Sequence, residues 1–149
     1  MKFIATRTVR FADCDPAGIV FFPQYLVMLN SFVEQRFDEG LRIPYAGLIG
    51  ERRTGLPTVR LEVDFTAVSR HGDRISFVVQ IEKLGRSSLT LQVGCHAGED
   101  DSGEQRFRAR QVLVCTSLLT HRPQALPDDV LAALQPYVAA AGDLAPPLP

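Results

Sequence analysis

Two carboxylates one residue apart, Asp13 and Asp15, stand in the stretch FADCDPAGIVFFPQYL, residues 11–26. The second is followed by Pro-Ala-Gly, and the chain then turns apolar until Pro23 opens a helical pattern. A carboxylate at the mouth of an apolar segment is suited to act as nucleophile or general base on an apolar, electrophilic partner. Pro23, read as the first helical position, leaves the Phe22 amide at the positive end of the helix dipole with no intrahelical acceptor. A developing oxyanion would satisfy it there. Asp-Pro is also an ordinary turn opener, and Asp13 reads as a solvated or capping residue. Cys14, between two acids that disfavour a thiolate, reads as a small packed side chain.

The other reactive side chains form no second constellation. Cys14, Cys95 and Cys115 lack CxxC spacing, which argues against a disulfide framework or zinc site and for a reducing cytoplasm. His71, His96 and His121 are scattered without i, i+4 spacing, so no metal is expected. A GxSxG motif is missing, which excludes the α/β-hydrolase triad. Arg106, Arg108 and Arg110 alternate along one segment and read as a solvated stripe, and Arg52 and Arg53 as a charged loop. A net charge of -1 draws the chain to neither nucleic acid nor an anionic membrane. No apolar run approaches the ~20 residues that span a bilayer.

These residues must be held by elements, and the periodicity supplies them. KFIATRTVRF places Phe3, Ala5, Val9 and Phe11 on one face of a strand. Tyr25, Met28, Leu29, Phe32, Val33, Arg36 and Phe37 follow the stripe of a four-turn helix, started by Pro23 and stopped by Gly40. Four antiparallel strands follow: PTVRLEVDFTA with Val59, Leu61, Val63 and Phe65 inward, RISFVVQIEKL, SLTLQVGC, and a last long one, RFRARQVLVCTSLL. PDDVLAALQPY reads as a short helix with acids in its first turn, and GDLAPPLP as a frayed tail. The expectation is one α+β domain over residues 1–140 with a flexible tail over 141–149, the sheet wrapping the helix to bury it.

DCDPAGIVFFPQY, followed by an amphipathic helix and by GLPTV opening a run of strands, resembles the hotdog-fold acyl-CoA thioesterases, most closely the 4-hydroxybenzoyl-CoA thioesterase branch. The likeness covers residues 3–120. It implies a long central helix wrapped by a curved antiparallel sheet of about five strands, paired into a homodimer or homotetramer with active sites at the interface. It also implies hydrolysis of an acyl-CoA thioester, with coenzyme A as part of the substrate and no separate cofactor. Carried over, the catalytic carboxylate is Asp15, the oxyanion donor is the backbone N–H of Phe22, and Gly18 shapes the turn between them. Asn30 stands where that branch has a helix carboxylate addressing a ring hydroxyl. Lys83, Arg86 and Ser87, in the turn EKLGRSS, stand where the nucleotide of coenzyme A is held.

The pocket wall is expected from Leu26, Leu29 and Phe32 around Asn30, an apolar lining with one neutral hydrogen-bonding group that suits an aromatic or medium-chain acyl group. Two other readings compete. A hotdog hydratase would carry a His five residues after its Asp, and five residues after Asp13 is Gly18. A non-catalytic acyl binder would need neither Asp15 nor a free helix amide.

Overall fold

The computed structural model of the chain describes residues 1–146. Its elements are β1 (Phe3–Thr8), α1 (Phe22–Gln35), α2 (Tyr45–Gly50), β2 (Thr54–Gly55), β3 (Thr58–Phe65), β4 (Arg74–Leu84), β5 (Ser88–Ala97), β6 (Gln105–Val114), β7 (Thr116–Ser117) and α3 (Asp128–Leu134). Five strands form one antiparallel sheet in the order β1-β4-β5-β6-β3, and β2 pairs with β7 in a separate ribbon. The alternation read from the sequence becomes cross-strand rows on the inner face: Ala5–Phe77–Cys95–Phe107–Phe65, then Phe3–Val79–Val93–Ala109–Val63. Register irregularities in β3, β4 and β5 bend the sheet around the helix. This is the hotdog arrangement.

Helix α1 buries Tyr25, Met28, Leu29, Phe32 and Val33 against those rows. Gly40 does not stop it: after Gln35 the chain continues as a π-helical segment, Arg36–Leu41, and leaves the helix at Arg42 with φ 55. Gly40 is needed for closeness instead, since a Cβ there would lie 2.9 Å from the Phe3 ring. Arg36, which falls in the apolar stripe, is 1% exposed. Its guanidinium lies 5.2 Å from the Tyr137 ring centroid, and none of its three nitrogens has a hydrogen-bond partner among the described residues.

Three other expectations are corrected. Phe11 is 80% exposed and begins a 3-10 turn, Phe11–Asp13, because β1 ends at Thr8. In β3, Val59, Leu61 and Phe65 are 60%, 36% and 46% exposed, since this edge strand has no neighbour beyond it in a single chain. The last strand breaks at Cys115, whose N–H turns to the Ser87 carbonyl, and β7 joins β2. On the outer face Arg106, Arg108 and Arg110 are each ion-paired, with Asp73 and Glu104, Asp64, and Glu82 respectively. Ala145, in the expected tail, exchanges two hydrogen bonds with the Gln92 side chain. Residues 147–149 of that tail lie outside the described residues.

Candidate active site

Asp15 sits at the tip of a small hairpin whose geometry explains each residue of Asp-Pro-Ala-Gly. The Gly18 N–H donates to the Asp15 carbonyl (2.9 Å) and the Asp15 N–H to the Ile19 carbonyl (3.0 Å), with Gly18 at φ 77. This is a type I turn followed by a left-handed residue, with Pro16 at its first central position. The Ala17 N–H donates to Asp15 Oδ1 (2.9 Å), so the turn holds one carboxylate oxygen. Oδ2 has no hydrogen-bond partner among the described residues and the side chain is half-buried. The turn thus engages one oxygen of the carboxylate and leaves the other available.

Asp13 closes the base of the same hairpin. Its side chain is almost wholly buried, and it accepts from the Arg10 N–H (2.8 Å) and from Gln24 Nε2 (3.2 Å), with Arg7 Nη2 at 3.5 Å. It caps, as expected, but from within rather than from solvent. The Phe21 N–H donates to the Asp13 carbonyl (3.1 Å), which fixes the hairpin to the start of α1.

Phe22 is the first residue of α1 and Pro23 the second, one position later than the sequence reading had it. Pro23 has no N–H and Gln24 donates to the Phe21 carbonyl (2.7 Å), so the Phe22 amide is left without an acceptor among the described residues. Behind it, the Tyr25 hydroxyl donates to Ser69 Oγ (2.7 Å) in the core. Burial pushes the Tyr25 phenol above its ordinary value, and the Ser69 hydrogen bond opposes part of that rise. The Phe22 ring meets Phe65 edge-on at 5.8 Å, and Phe65 lies 6.1 Å from Phe107. An aromatic row thus runs from the exposed helix end into the core.

The expected binding residues divide into three groups. Leu29 is 2% exposed and belongs to the core, because it faces the sheet. Leu26 is half-buried and Asn30 exposed on the adjoining helix flank. Lys83 lies near the end of β4, nine residues along it from Arg74, the residue that pairs with Thr8 just before the hairpin, and Arg86 and Ser87 lie in the β4–β5 turn beyond it. That is about 30 Å of strand, so one chain does not bring the turn and Asp15 together. Three cavities among the described residues are lined by other residues, and none by Asp15, Phe22 or Asn30.

The family model of the thioesterase-like superfamily matches residues 9–134, from the hairpin through α3. The chain belongs to this superfamily. The 1,4-dihydroxy-2-naphthoyl-CoA hydrolase of Synechocystis sp. is 28% identical over 142 residues, covering 95% of this chain and 96% of that protein. The 4-hydroxybenzoyl-CoA thioesterase of Pseudomonas sp. is 31% identical over 84 residues, covering 56% and 60%. The crystal structure of a 1,4-dihydroxy-2-naphthoyl-CoA thioesterase from Synechocystis superposes with a TM-score of 0.79 at 25% identity, over 91% of this chain and 96% of that one.

As a thioesterase-like chain, it carries a basic end that its sequence dispersed. The Leu118 N–H bonds the Arg53 carbonyl, Ser117 that of Arg122, and Leu126 that of Arg86. Arg53 and Arg122 thus join Lys83 and Arg86 at one end of the sheet, and no ion pair engages any of the four among the described residues. Arg53 was read from the sequence only as part of a charged loop and Arg122 was not singled out, because β2 and β7, two residues each, leave no periodic signal that would bring them together. Among the described residues no group of three His, Cys, Asp or Glu is gathered as a metal site would need, and no helix is long and apolar enough to cross a membrane.

Proposed function

We propose that Asp15 and the Phe22 amide are the reacting pair with which this protein, an acyl-CoA thioesterase, hydrolyses thioesters of aromatic or medium-chain acids. The observation that carries this reading is the half-held carboxylate: Oδ1 is fixed by Ala17 while Oδ2 is left open, on a hairpin bonded to the helix end that presents a free N–H. The thioester oxygen takes the Phe22 N–H, where an oxyanion donor is typically worth ~3 kcal/mol to the transition state. Asp15 Oδ2 then adds to the carbonyl carbon, expelling the coenzyme A thiolate and leaving a mixed anhydride that water hydrolyses. In the general-base form of the same reaction it takes the proton of a water that adds instead. Both routes end in free acid and coenzyme A.

Leu26 and Asn30 supply an apolar wall with one neutral amide. Each buried methylene is worth ~0.8 kcal/mol, while a buried carboxylate would meet no cation on this flank. Lys83, Arg86 and Ser87 hold the nucleotide for the site of a second copy, a reading supported by the strand length between turn and hairpin. The names of the relatives, hydroxylated aromatic acyl-CoA hydrolases, support the aromatic arm of this reading.

The test is free-thiol release from benzoyl-, 4-hydroxybenzoyl-, phenylacetyl-, hexanoyl-, acetyl- and succinyl-CoA. The aromatic and hexanoyl esters are expected to lead in kcat/KM. Specificity led by acetyl or succinyl would overturn the pocket assignment, and release from none would overturn the reaction.

A further inference from the structure

Ser69 is a serine in a loop, residues 66–73 between β3 and β4, yet it is wholly buried. Its hydroxyl accepts the hydrogen bond of the Tyr25 hydroxyl (2.7 Å). Tyr25 is buried too, its ring 5.2 Å from that of Phe107 and 6.0 Å from that of Phe65. A phenylalanine facing an alanine would fill the same space, and replacing both members of such a pair by apolar groups of like shape costs little stability. What the pair adds is direction, since a buried hydroxyl is held where its partner lies.

Both residues are linked to the reacting pair through the backbone. Tyr25 is three residues beyond Phe22 on α1, about one turn further along. The Ser69 carbonyl accepts the Val20 N–H (2.9 Å), Arg70 pairs with Ile19 in an antiparallel bridge, and the Ile19 carbonyl accepts the Asp15 N–H (3.0 Å). The returning arm of the Asp15 hairpin therefore rests on the loop 66–73. That loop is fastened to the sheet by the Arg106 guanidinium, which donates to the Val68 carbonyl, and its Asp73 carbonyl accepts the Val9 N–H (2.8 Å). The Tyr25–Ser69 bond ties the helix to this support. A shift of Ser69 is passed to Val20 and Ile19, and so to Asp15.

We propose that Tyr25 and Ser69 are positioning residues for the hydrolysis: their hydroxyl–hydroxyl bond sets the loop, and through Val20 and Ile19 the Asp15 carboxylate, in place relative to the Phe22 N–H that holds the thioester oxygen. The inference rests on the thioesterase reading of Asp15 and Phe22. In this role neither hydroxyl touches the reacting atoms and neither passes a proton to them. Burial holds the Tyr25 phenol above its ordinary value, so it remains a donor through neutral and mildly alkaline pH.

The experiment measures kcat, KM and the pH dependence of kcat for Tyr25→Phe, Ser69→Ala and the double variant, on whichever ester of the panel above the wild type hydrolyses best. The double variant, which leaves neither hydroxyl unpaired, is expected to keep the wild-type melting temperature while kcat falls about tenfold or more and KM stays within about twofold. Its pH profile is expected to keep the wild-type shape at the lower rate. Hydrogen exchange over residues 15–21 is expected to quicken while that of the rest of α1 stays unchanged. Each single variant also removes the bond, is expected to lose kcat to a similar extent, and decides the matter if the double variant does not fold. A folded variant with wild-type kcat, a loss confined to KM, or unchanged exchange over residues 15–21 overturns the assignment. So does a loss confined to one limb of the pH profile, which would make Tyr25 an acid or base. Failure of the folded wild type to release thiol from any ester overturns the thioesterase reading, and this inference with it.

Discussion

Asp13 and Phe21 are joined backbone to backbone, the Phe21 N–H donating to the Asp13 carbonyl over 3.1 Å, so the hairpin carrying Asp15 and the helix end presenting the Phe22 amide form one closed unit. The two acids therefore have separate duties. Asp15→Asn is expected to slow acyl-CoA hydrolysis by at least ~100-fold with an unchanged melting temperature. Asp13→Asn disturbs a buried acceptor of three partners, and is expected to cost about 1–3 kcal/mol of stability while turnover falls much less. Thermal denaturation and steady-state kinetics on both variants check this, and equal losses of turnover would show that the wrong acid was chosen.

The edge strand β3 leaves Val59, Leu61 and Phe65 exposed, with the Phe22 ring against Phe65, an apolar border that a second copy would cover. A homodimer or a dimer of dimers is expected by light scattering at micromolar concentration. Leu61→Arg should shift it toward monomer and lower activity with it. A wild type that is strictly monomeric would remove the shared site.

Arg36 is a buried guanidinium without a carboxylate, and burial lowers its pKa to about 10. Desolvating such a cation is expensive, and the face of Tyr137 compensates only in part. Arg36→Met, of similar length, is expected to leave stability unchanged or raise it by about 1–3 kcal/mol in chemical denaturation. A loss instead would mean that the contact with the Tyr137 face outweighs the cost of desolvating the guanidinium.

Glu82 receives hydrogen bonds from Arg110, which hold its carboxyl below the usual carboxylate range. As pH falls, the unfolded chain takes up this proton first, so the pair's contribution is present above the ordinary carboxylate pKa and is lost as pH drops through the folded value. Glu82→Gln removes that term. Its stability is expected to fall less steeply than the wild type's between about pH 5 and pH 3, as followed by urea midpoints. Parallel slopes would show that the pair contributes nothing measurable at this surface position.

The strands from Arg74 to Leu84 and from Ser88 onward, the amphipathic helix and the Asp-Pro-Ala-Gly turn were legible in the sequence, because each is set by local forces: the period of a buried face, the fixed φ of Pro16, the left-handed freedom of Gly18. The family-bearing motif lies in that local part, which is why Asp15 and Phe22 could be named from it. What the sequence could not decide is which apolar face finds a cover. Alternation marked Val59, Leu61 and Phe65 as inward, yet β3 lies at an edge, and edges are assigned by strand order. Likewise Arg36 was read only as a member of the helix stripe, and Gln111, at an inward position of the last strand, was not singled out. Only the packing of elements distant in sequence buried them and withheld their partners, since burial is a property of the assembled layers and not of any one segment.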